Sequence, residues 1–269
     1  MDSLLHALTT VQAELERFAP IDGVFIKDLR ASATPLGNAI GRHSFAELSL
    51  EPAMVLRLDP SWDSFETYLD CLASKYRVKA KRAYAKSQAL RIKDFDADDL
   101  LAHQERLMEL YHAVHDKAEY RLGELSFSTF LNLRRTLGPD FILRGYFHQD
   151  ALVGFLAGFA HQGILEAHLV GLDYKLNHEL SIYPRLLCDF LKIAIERRCK
   201  QINYGRTASE IKSTLGAEPL EWSCYLRHRN FLPNHLTRLI VPRLQPAVSP
   251  LRMPFTKEWY GLRTQQEMG

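Results

Sequence analysis

Glu166 and His168 stand two residues apart in the apolar run ILEAHLVGL (164–172), so on a strand their side chains share a face. A carboxylate beside a neutral imidazole can take a proton from a bound group. A partly exposed strand also carries Glu and His for solubility alone. The segment NYGRTASEIKSTLG (203–216) is the most distinctive in the chain. Gly205 gives a tight strand exit, and Thr207 or Ser209 can cap the short helix after it. Arg206 and Lys212 add two positive charges near that helix start, a pairing suited to phosphate. Equally, Arg206 could pair with Glu210 and Lys212 could be a solvated lysine. Lys75, Lys79, Arg82 and Lys86 are spaced +4, +3, +4 and share one helical face, with Tyr76, Ala80, Ala83 and Ser87 as a packing stripe beside it. Such a face grips phosphates or is simply solvated. The junction 171–184 leads into a helix start, whose unpaired N–H groups suit an anion. There Asn177 and Ser181 are caps or ligands and Tyr183 is a hydrogen-bonding group, with Asp173 and Tyr204 weaker candidates at strand ends. His112 and His115 lie one turn apart but lack a third ligand, so no metal site is expected. No GxSxG, Cys/His signature or P-loop is present, which leaves hydrolase and NTPase readings unsupported.

The rest of the 269 residues must supply the elements that position these groups. The chain is 46% hydrophobic and 25% charged, an ordinary globular composition. Thirty-four Lys+Arg against 32 Asp+Glu leave a charge of +2, so a polyanion partner must be met by clustered cations. No run of about 18 apolar residues exists, so no stable membrane insertion is expected. The amino terminus lacks the pattern of a secretory signal. The cysteines Cys71, Cys188, Cys199 and Cys224 form no CxxC pair and read as reduced thiols of a cytoplasmic protein.

Apolar residues Leu4, Leu5, Leu8, Val11, Leu15 and Phe18 predict a first helix, and residues 21–52 lack a sustained period and predict irregular covering structure. MVLRL (54–58) predicts a strand, with helical stretches after it over 61–73 and 74–89. LRIKDF (90–95) predicts a strand. Asp96, Asp98 and Asp99 then open a helix whose stripe is Leu100, Leu107, Met108, Tyr111 and Val114. A further helix runs from Ser126 to Gly138-Pro139. FILRGYFH, ALVGFLAGFAH and ILEAHLVGL, joined by two-residue turns, predict an antiparallel meander. The helix 180–198 is apolar on nearly every side and must be buried. QINY, SEIKSTLG and LEWSCYLRH give strand, short helix and strand, and residues beyond 230 read as a wrapping tail. One strand-helix-strand crossover inside a meander requires a mixed sheet, with 164–171 parallel to 201–204.

That element order over 90–229 resembles the GNAT-type acyl-CoA N-acyltransferase superfamily. SKYRVKAKRA (74–83), HLVGLDY (168–174) and NYGRTASEIKSTLGAEP (203–219) are similar to its bacterial Fem-like branch, whose members are peptidoglycan-biosynthesis-type transferases with two such lobes. The phosphate loop of CoA-using members, Arg/Gln-x-x-Gly-x-Gly/Ala, is not matched: Gly171 to Leu180 contains a single glycine. The resemblance implies an α/β (α+β) fold with a mixed, mostly antiparallel sheet flanked by helices and an N-terminal helical extension. The expected divisions are 1–53, 54–89 as a first-lobe remnant, 90–229 as the transferase domain, and 230–269.

The resemblance further implies transfer of an acyl group from an activated donor, acyl-CoA foremost, to an amine, with acyl-CoA as co-substrate and no metal. Glu166, His168 and Tyr204 become candidate catalytic groups, with Tyr204 protonating the leaving thiolate. Asn177, Ser181, Tyr183, Arg206, Thr207, Ser209 and Lys212 become donor-binding, and Lys212 matches a lysine that faces donor phosphates in Fem-type proteins. Lys75, Lys79, Arg82 and Lys86 are phosphate-binding candidates. Partners are a small-molecule donor and an amine acceptor, with tRNA or a lipid-linked precursor as further candidates. Two alternatives stand beside it: an aminoacyl-tRNA-dependent transferase, and a non-catalytic module that binds anionic polymer or membrane surface through the basic helix.

Overall fold

The computed structural model describes residues 2–30, 40, 44–118, 123–243 and 250–268. In chain order they form α1 (Asp2–Leu15), β1 (Gly23–Arg30), β2 (Ala46–Ser49), β3 (Ala53–Arg57), α2 (Phe65–Cys71), α3 (Ser74–Lys86), β4 (Arg91–Asp94), α4 (Ala97–Ala102), α5 (Gln104–His115) and α6 (Phe127–Leu137). Next come β5 (Phe141–His148), β6 (Ala151–His161), β7 (Ile164–Leu172), α7 (Tyr174–Leu180), α8 (Ile182–Glu196), β8 (Gln201–Asn203), α9 (Ser209–Ser213), β9 (Glu218–Leu220), β10 (Trp222–His228), α10 (Phe231–Ile240) and α11 (Lys257–Met268). The chain divides into two compact units, 1–53 with 219–249 and 54–218 with 250–269.

The larger unit is built on a seven-stranded sheet in the order β4-β5-β6-β7-β8-β3-β9. The meander β5–β7 is antiparallel as its sequence requires. Its two turns, Gln149-Asp150 and Gln162-Gly163, hold both residues at positive φ, the backbone hand that matches strand twist. β7 and β8 are parallel, with Ile164 opposite Gln201 and Glu166 opposite Asn203. The fold is mixed α/β with a mostly antiparallel sheet flanked by helices, as expected. α8 covers one face, where Ile182, Leu186 and Phe190 pack with Leu156, Leu165 and Ile202. On the second cluster, Leu100, Leu107, Leu110 and Phe130 of α4–α6 pack with Phe141, Leu143 and Phe155. The expected single helix from 97 is two, broken at His103. The first is fixed by a capping box between Asp96 and Asp99.

Four expectations change. β10 does not close the large sheet; it pairs antiparallel with β1 and β2 in a three-stranded sheet of the smaller unit. Residues 23–30 and 46–49 are therefore strands rather than irregular cover, while 31–39 and 41–43 of that segment lie outside the described residues. The alternation Val24, Ile26 is broken before Leu29 by an irregularity at Asp28, whose φ is 64°, and this hid the strand's period of two. The tail is also more than a wrap. α10 and α11 are helices, and Phe255 and Trp259 are buried in the larger unit, stacked on each other and on Trp62. Residues 244–249 and the side chains of Leu4, Leu5 and Leu8 lie outside the described residues. Finally, β3 pairs antiparallel with β8, so the segment after 53 is woven into the same sheet.

One buried charge ties this unit together. Asp189 of α8 is 2% exposed and accepts from Tyr84 Oη (2.7 Å), Tyr146 Oη (2.6 Å) and Arg185 Nε (2.9 Å). Arg185 also donates to Ser87 Oγ and lies over the Tyr84 ring. Three elements, α3, β5 and α8, thus converge on one carboxylate. Burial, with Asp189 beside them, pushes both tyrosine hydroxyls well above their ordinary pKa, so they stay donors. Asp189→Ala should leave Arg185 and two hydroxyls without their acceptor and cost about 3–5 kcal/mol in urea unfolding. The double variant Arg185→Met/Asp189→Leu should recover much of that loss, and an equal loss in both would show that packing alone was broken.

Candidate active site

The β7–β8 ladder ends at Glu166 and Asn203, although β7 continues to Leu172. Beyond that point β8 is tied to the other side: Tyr204 N–H donates to Met54 O, and Met54 N–H to Gly205 O. The two parallel strands therefore part at their carboxyl ends. The consequence is unusual for a strand with sheet on both sides, because Glu166 through Val170 are half-buried or exposed while Leu165 is buried. Opposite Gly158 the register of β7 slips, since Ala157 faces Leu169 and Phe159 faces Glu166. A Cβ on Gly158 would meet Glu166 O at 2.5 Å, so this close approach requires glycine. The irregularity turns the 167–169 backbone at the opening.

Each lip of the opening is fixed by side chains that the sequence offered as ligands. On the β7 lip, Asp173 caps α7 by accepting from Lys175 N–H (2.9 Å) and pairs with Arg106 (2.8 Å). Partial burial works against its charge, but the bonds from Lys175 N–H and Arg106 outweigh it and hold the carboxyl below its usual range. Ser181 adopts left-handed φ of 49° between α7 and α8. Asn177 Oδ1 accepts from Tyr183 N–H (2.8 Å), so it fills an orphan donor of α8 itself. Burial raises the Tyr183 hydroxyl to about 12.

On the β8 lip, Gly205, Thr207 and Ala208 all have positive φ and reverse the chain into α9. The residue at the α9 cap position is Ala208, not Thr207 or Ser209; Thr207 is exposed and Ser209 buried. Lys212 is 4% exposed, and its ammonium donates to Arg206 O (2.6 Å) and Gly205 O (3.3 Å). Its charge goes to the reversal's own carbonyls rather than to an exposed anion site. Glu210 pairs with Arg252 (2.5 Å), not with Arg206, which is half-buried. Tyr204 is buried and donates to Leu187 O (3.1 Å), tying the end of β8 to α8. Burial holds the proton on that phenol, and its hydroxyl already has an acceptor, so it is poorly placed as an acid.

Between α3, α8 and α9 lies a small open depression, lined by Tyr76, Lys79, Ala83, Leu187, Ile211 and Thr214 among others. The inner stripe of α3 packs as expected, with Ala80, Ala83 and Ser87 buried. The heads of Lys75, Lys79, Arg82 and Lys86 are exposed, Lys79 at the pocket and Lys86 donating to His178 O at the end of α7. The structure thus brings Lys79, the α9 segment and the start of α8 together around one depression. Glu166 and His168 are elsewhere on the split strand. The His168 ring leans on Phe159, with centroids 5.4 Å apart. Arg106, Arg185 and Asp189 were not anticipated. For Arg185 and Asp189 the signal was an Arg and Asp four apart inside a largely apolar helix. Among the described residues no cluster of three His, Cys, Asp or Glu is arranged to hold a metal ion.

No protein-family model and no curated protein matches the sequence. Solved structures do match in fold. The C-terminal domain of a protein named as a lysylphosphatidylglycerol synthetase, from Agrobacterium fabrum, aligns with TM-score 0.57 and 9% identity over 86% of this chain and 74% of its own. FemX aligns with TM-score 0.55 and 12% identity over 88% and 78%. A GCN5-related N-acetyltransferase from Sphaerobacter thermophilus gives 0.52 and 14% over 84% and 67%. The fold is GNAT-like.

Packing around His168 disfavours its charged form and lowers its pKa below the usual imidazole value of about 6.5. A proton-NMR titration of the folded protein should give a midpoint below that value. Because the folded pKa lies below the unfolded one, the group's contribution to stability is present above about 6.5 and fades as pH falls through the folded midpoint. A midpoint at or above the unfolded value would contradict this packing.

Proposed function

Proceeding from a GNAT-like transferase fold, we propose that this chain moves an acyl or aminoacyl group from an activated, phosphate-bearing donor to an amine. The observation that carries the reading is the middle of β7, a strand with sheet on both sides whose residues 166–170 are half-buried or exposed where its pairing with β8 ends. An extended donor arm can lie there with its carbonyl against main-chain N–H groups of β7 beyond the last β8 pair, which would stabilise charge that develops on the oxygen. The transferase names of the solved neighbours support the reaction class.

In the proposed reaction the acceptor amine loses a proton to His168, directly or through water, with Glu166 as the second candidate. His168 suits the role because its lowered pKa keeps it neutral near pH 7. The amine nitrogen then forms a bond to the acyl carbon, and the bond from that carbon to the donor's sulfur or oxygen breaks. The leaving atom takes up a proton from solvent, since the phenol of Tyr204 is engaged with Leu187 O. Lys75, Lys79, Arg82 and Lys86 hold the donor's phosphates beside the pocket, with Arg206 at the opposite lip. Lys212 and Asn177 support the lips from within, and Ser181, Thr207, Ser209 and Tyr183 shape them. The reaction belongs in the cytoplasm, where the four free thiols stay reduced.

Acyl-CoA is the first donor to test. A second reading, an aminoacyl-tRNA donor, is favoured by Asn177, which occupies at α8 an N–H that a CoA pyrophosphate would need. In a thermal-shift comparison, the true donor should raise the melting temperature of the folded protein. The combined Lys79→Ala/Arg82→Ala variant should weaken its binding about tenfold or more. His168→Ala should lower single-turnover transfer by roughly 10²–10⁴-fold with little change in donor affinity. If neither CoA esters nor charged tRNA shift the melting temperature, the transferase reading fails; if only the tRNA does, the second reading replaces the first.

A further inference from the structure

Helix α10, FLPNHLTRLI, is built inside out. Asn234 and Thr237 face inward. Asn234 Oδ1 accepts from His228 N–H (2.9 Å), its amide donates to Ser44 O (3.0 Å), and Thr237 is half-buried. Phe231, Leu232, Leu236, Leu239 and Ile240 recur at i, i+1, i+5, i+8 and i+9 and face outward. Phe231 is 81% exposed and Leu232 74%. The helix buries none of its residues. A helix that packs its polar stripe inward and turns five large apolar side chains to solvent keeps that stripe for another surface.

The charges say which surface. From Trp222 to Arg243 the chain carries Arg227, Arg229, Arg238 and Arg243 and no Asp or Glu, in a protein whose whole excess is +2. Arg229, Arg238 and Arg243 are exposed around the apolar stripe, at its start, within it and just past its end. The acidic side chain of neighbouring β2, Glu47, accepts from Ser223 and Tyr225. A ten-residue helix is about 15 Å long, far short of a span. None of the described helices is long and apolar enough to cross a membrane. An apolar stripe flanked by arginines, with no acid in its own segment and too short to insert, has the composition of a segment that lies in the headgroup region of an anionic bilayer. One acid lies beside its start, where Asp22 O accepts from Arg229 N–H. RNA would use the arginines but leave the stripe in water. A second copy of the same face would bring its arginines against their own kind.

We propose that α10 docks the protein on anionic lipid surfaces, with Phe231, Leu232, Leu236, Leu239 and Ile240 in the acyl boundary and Arg229, Arg238 and Arg243 on the headgroups. The inference rests on the smaller unit alone and is independent of the transferase reading. The test is cosedimentation of the full chain with vesicles of phosphatidylcholine, or of phosphatidylcholine mixed with phosphatidylglycerol. Binding should favour the mixed vesicles and fall with salt. Phe231→Ser and Leu236→Ser should each weaken it about tenfold, and Arg238→Glu should erase the preference for phosphatidylglycerol. These positions are exposed, so each variant should keep the parent's melting temperature, which is checked first. Binding that is lost with Arg238→Glu but indifferent to the two serine variants would overturn the proposal in favour of a simple polyanion contact. Absence of vesicle binding, with a dimer in light scattering that the serine variants dissociate, would overturn it in favour of a second copy.

Discussion

The larger unit depends on one buried carboxylate. Without Asp189, α3 and β5 would lose their shared polar anchor on α8, and Arg185, which also reaches Ser87 and the Tyr84 ring, would lose its carboxylate. The carboxylate receives a phenol from α3, a phenol from β5 and a guanidinium from its own helix, so its lone pairs are directed at three fixed points. Buried ions of this kind seldom raise stability over an apolar replacement, but their geometry is unforgiving. The α3 cations therefore sit at a set distance from the α8 start.

The second constraint is the allegiance of β8. Three residues pair with β7, and then Tyr204 and Gly205 are committed to Met54 of β3. A strand cannot satisfy two diverging neighbours at once, so the sheet must open on the β7 side. The segment before residue 60, which read as a remnant, is thereby the cause of the opening. The buried ammonium of Lys212 then stabilises the chain reversal after β8, by taking the carbonyls of Gly205 and Arg206. A cation that looked like a ligand serves as a strut.

Much of the larger unit was legible. The meander declared itself by apolar runs and two-residue turns, and the apolar helix 180–198 together with QINY required a parallel pair. What failed did so for physical reasons. The sheet of the smaller unit joins strands from opposite ends of the sequence, with Gly23 opposite His228, and a local irregularity at Asp28 masks its period. Side-chain roles were less legible than elements, because a Lys or Asn can point outward to a ligand or inward to a carbonyl or N–H. Residue type and spacing do not distinguish these. For Lys212 and Asn177 the inward choice won, since a reversal with three positive-φ residues and a helix start at a left-handed Ser181 both leave main-chain groups to satisfy. For α3 the outward choice won, because Ala80, Ala83 and Ser87 already fill the inner face.

The inward choice at the α8 start also alters how this unit can bind an anion. A helix terminus attracts an anion through its dipole, worth about 0.3–1 kcal/mol at an exposed end, and through its free N–H groups. Here the Tyr183 N–H goes to Asn177 and Pro184 has no N–H, so the dipole remains while two of the terminus's orphan donors are gone. A side-chain cation that bonds a phosphate directly contributes more, about 1.5–3 kcal/mol. Four such cations stand on α3, one of them in the pocket wall. By magnitude, any phosphate this unit were to bind would be held by the basic helix more than by the helix terminus. A flexible row of Lys and Arg heads sets no single phosphate spacing, in contrast to a fixed loop of N–H groups. On the proposed reading, a donor would be selected chiefly by what fits the shallow depression and the split in the sheet, and the charges would supply attraction more than identity.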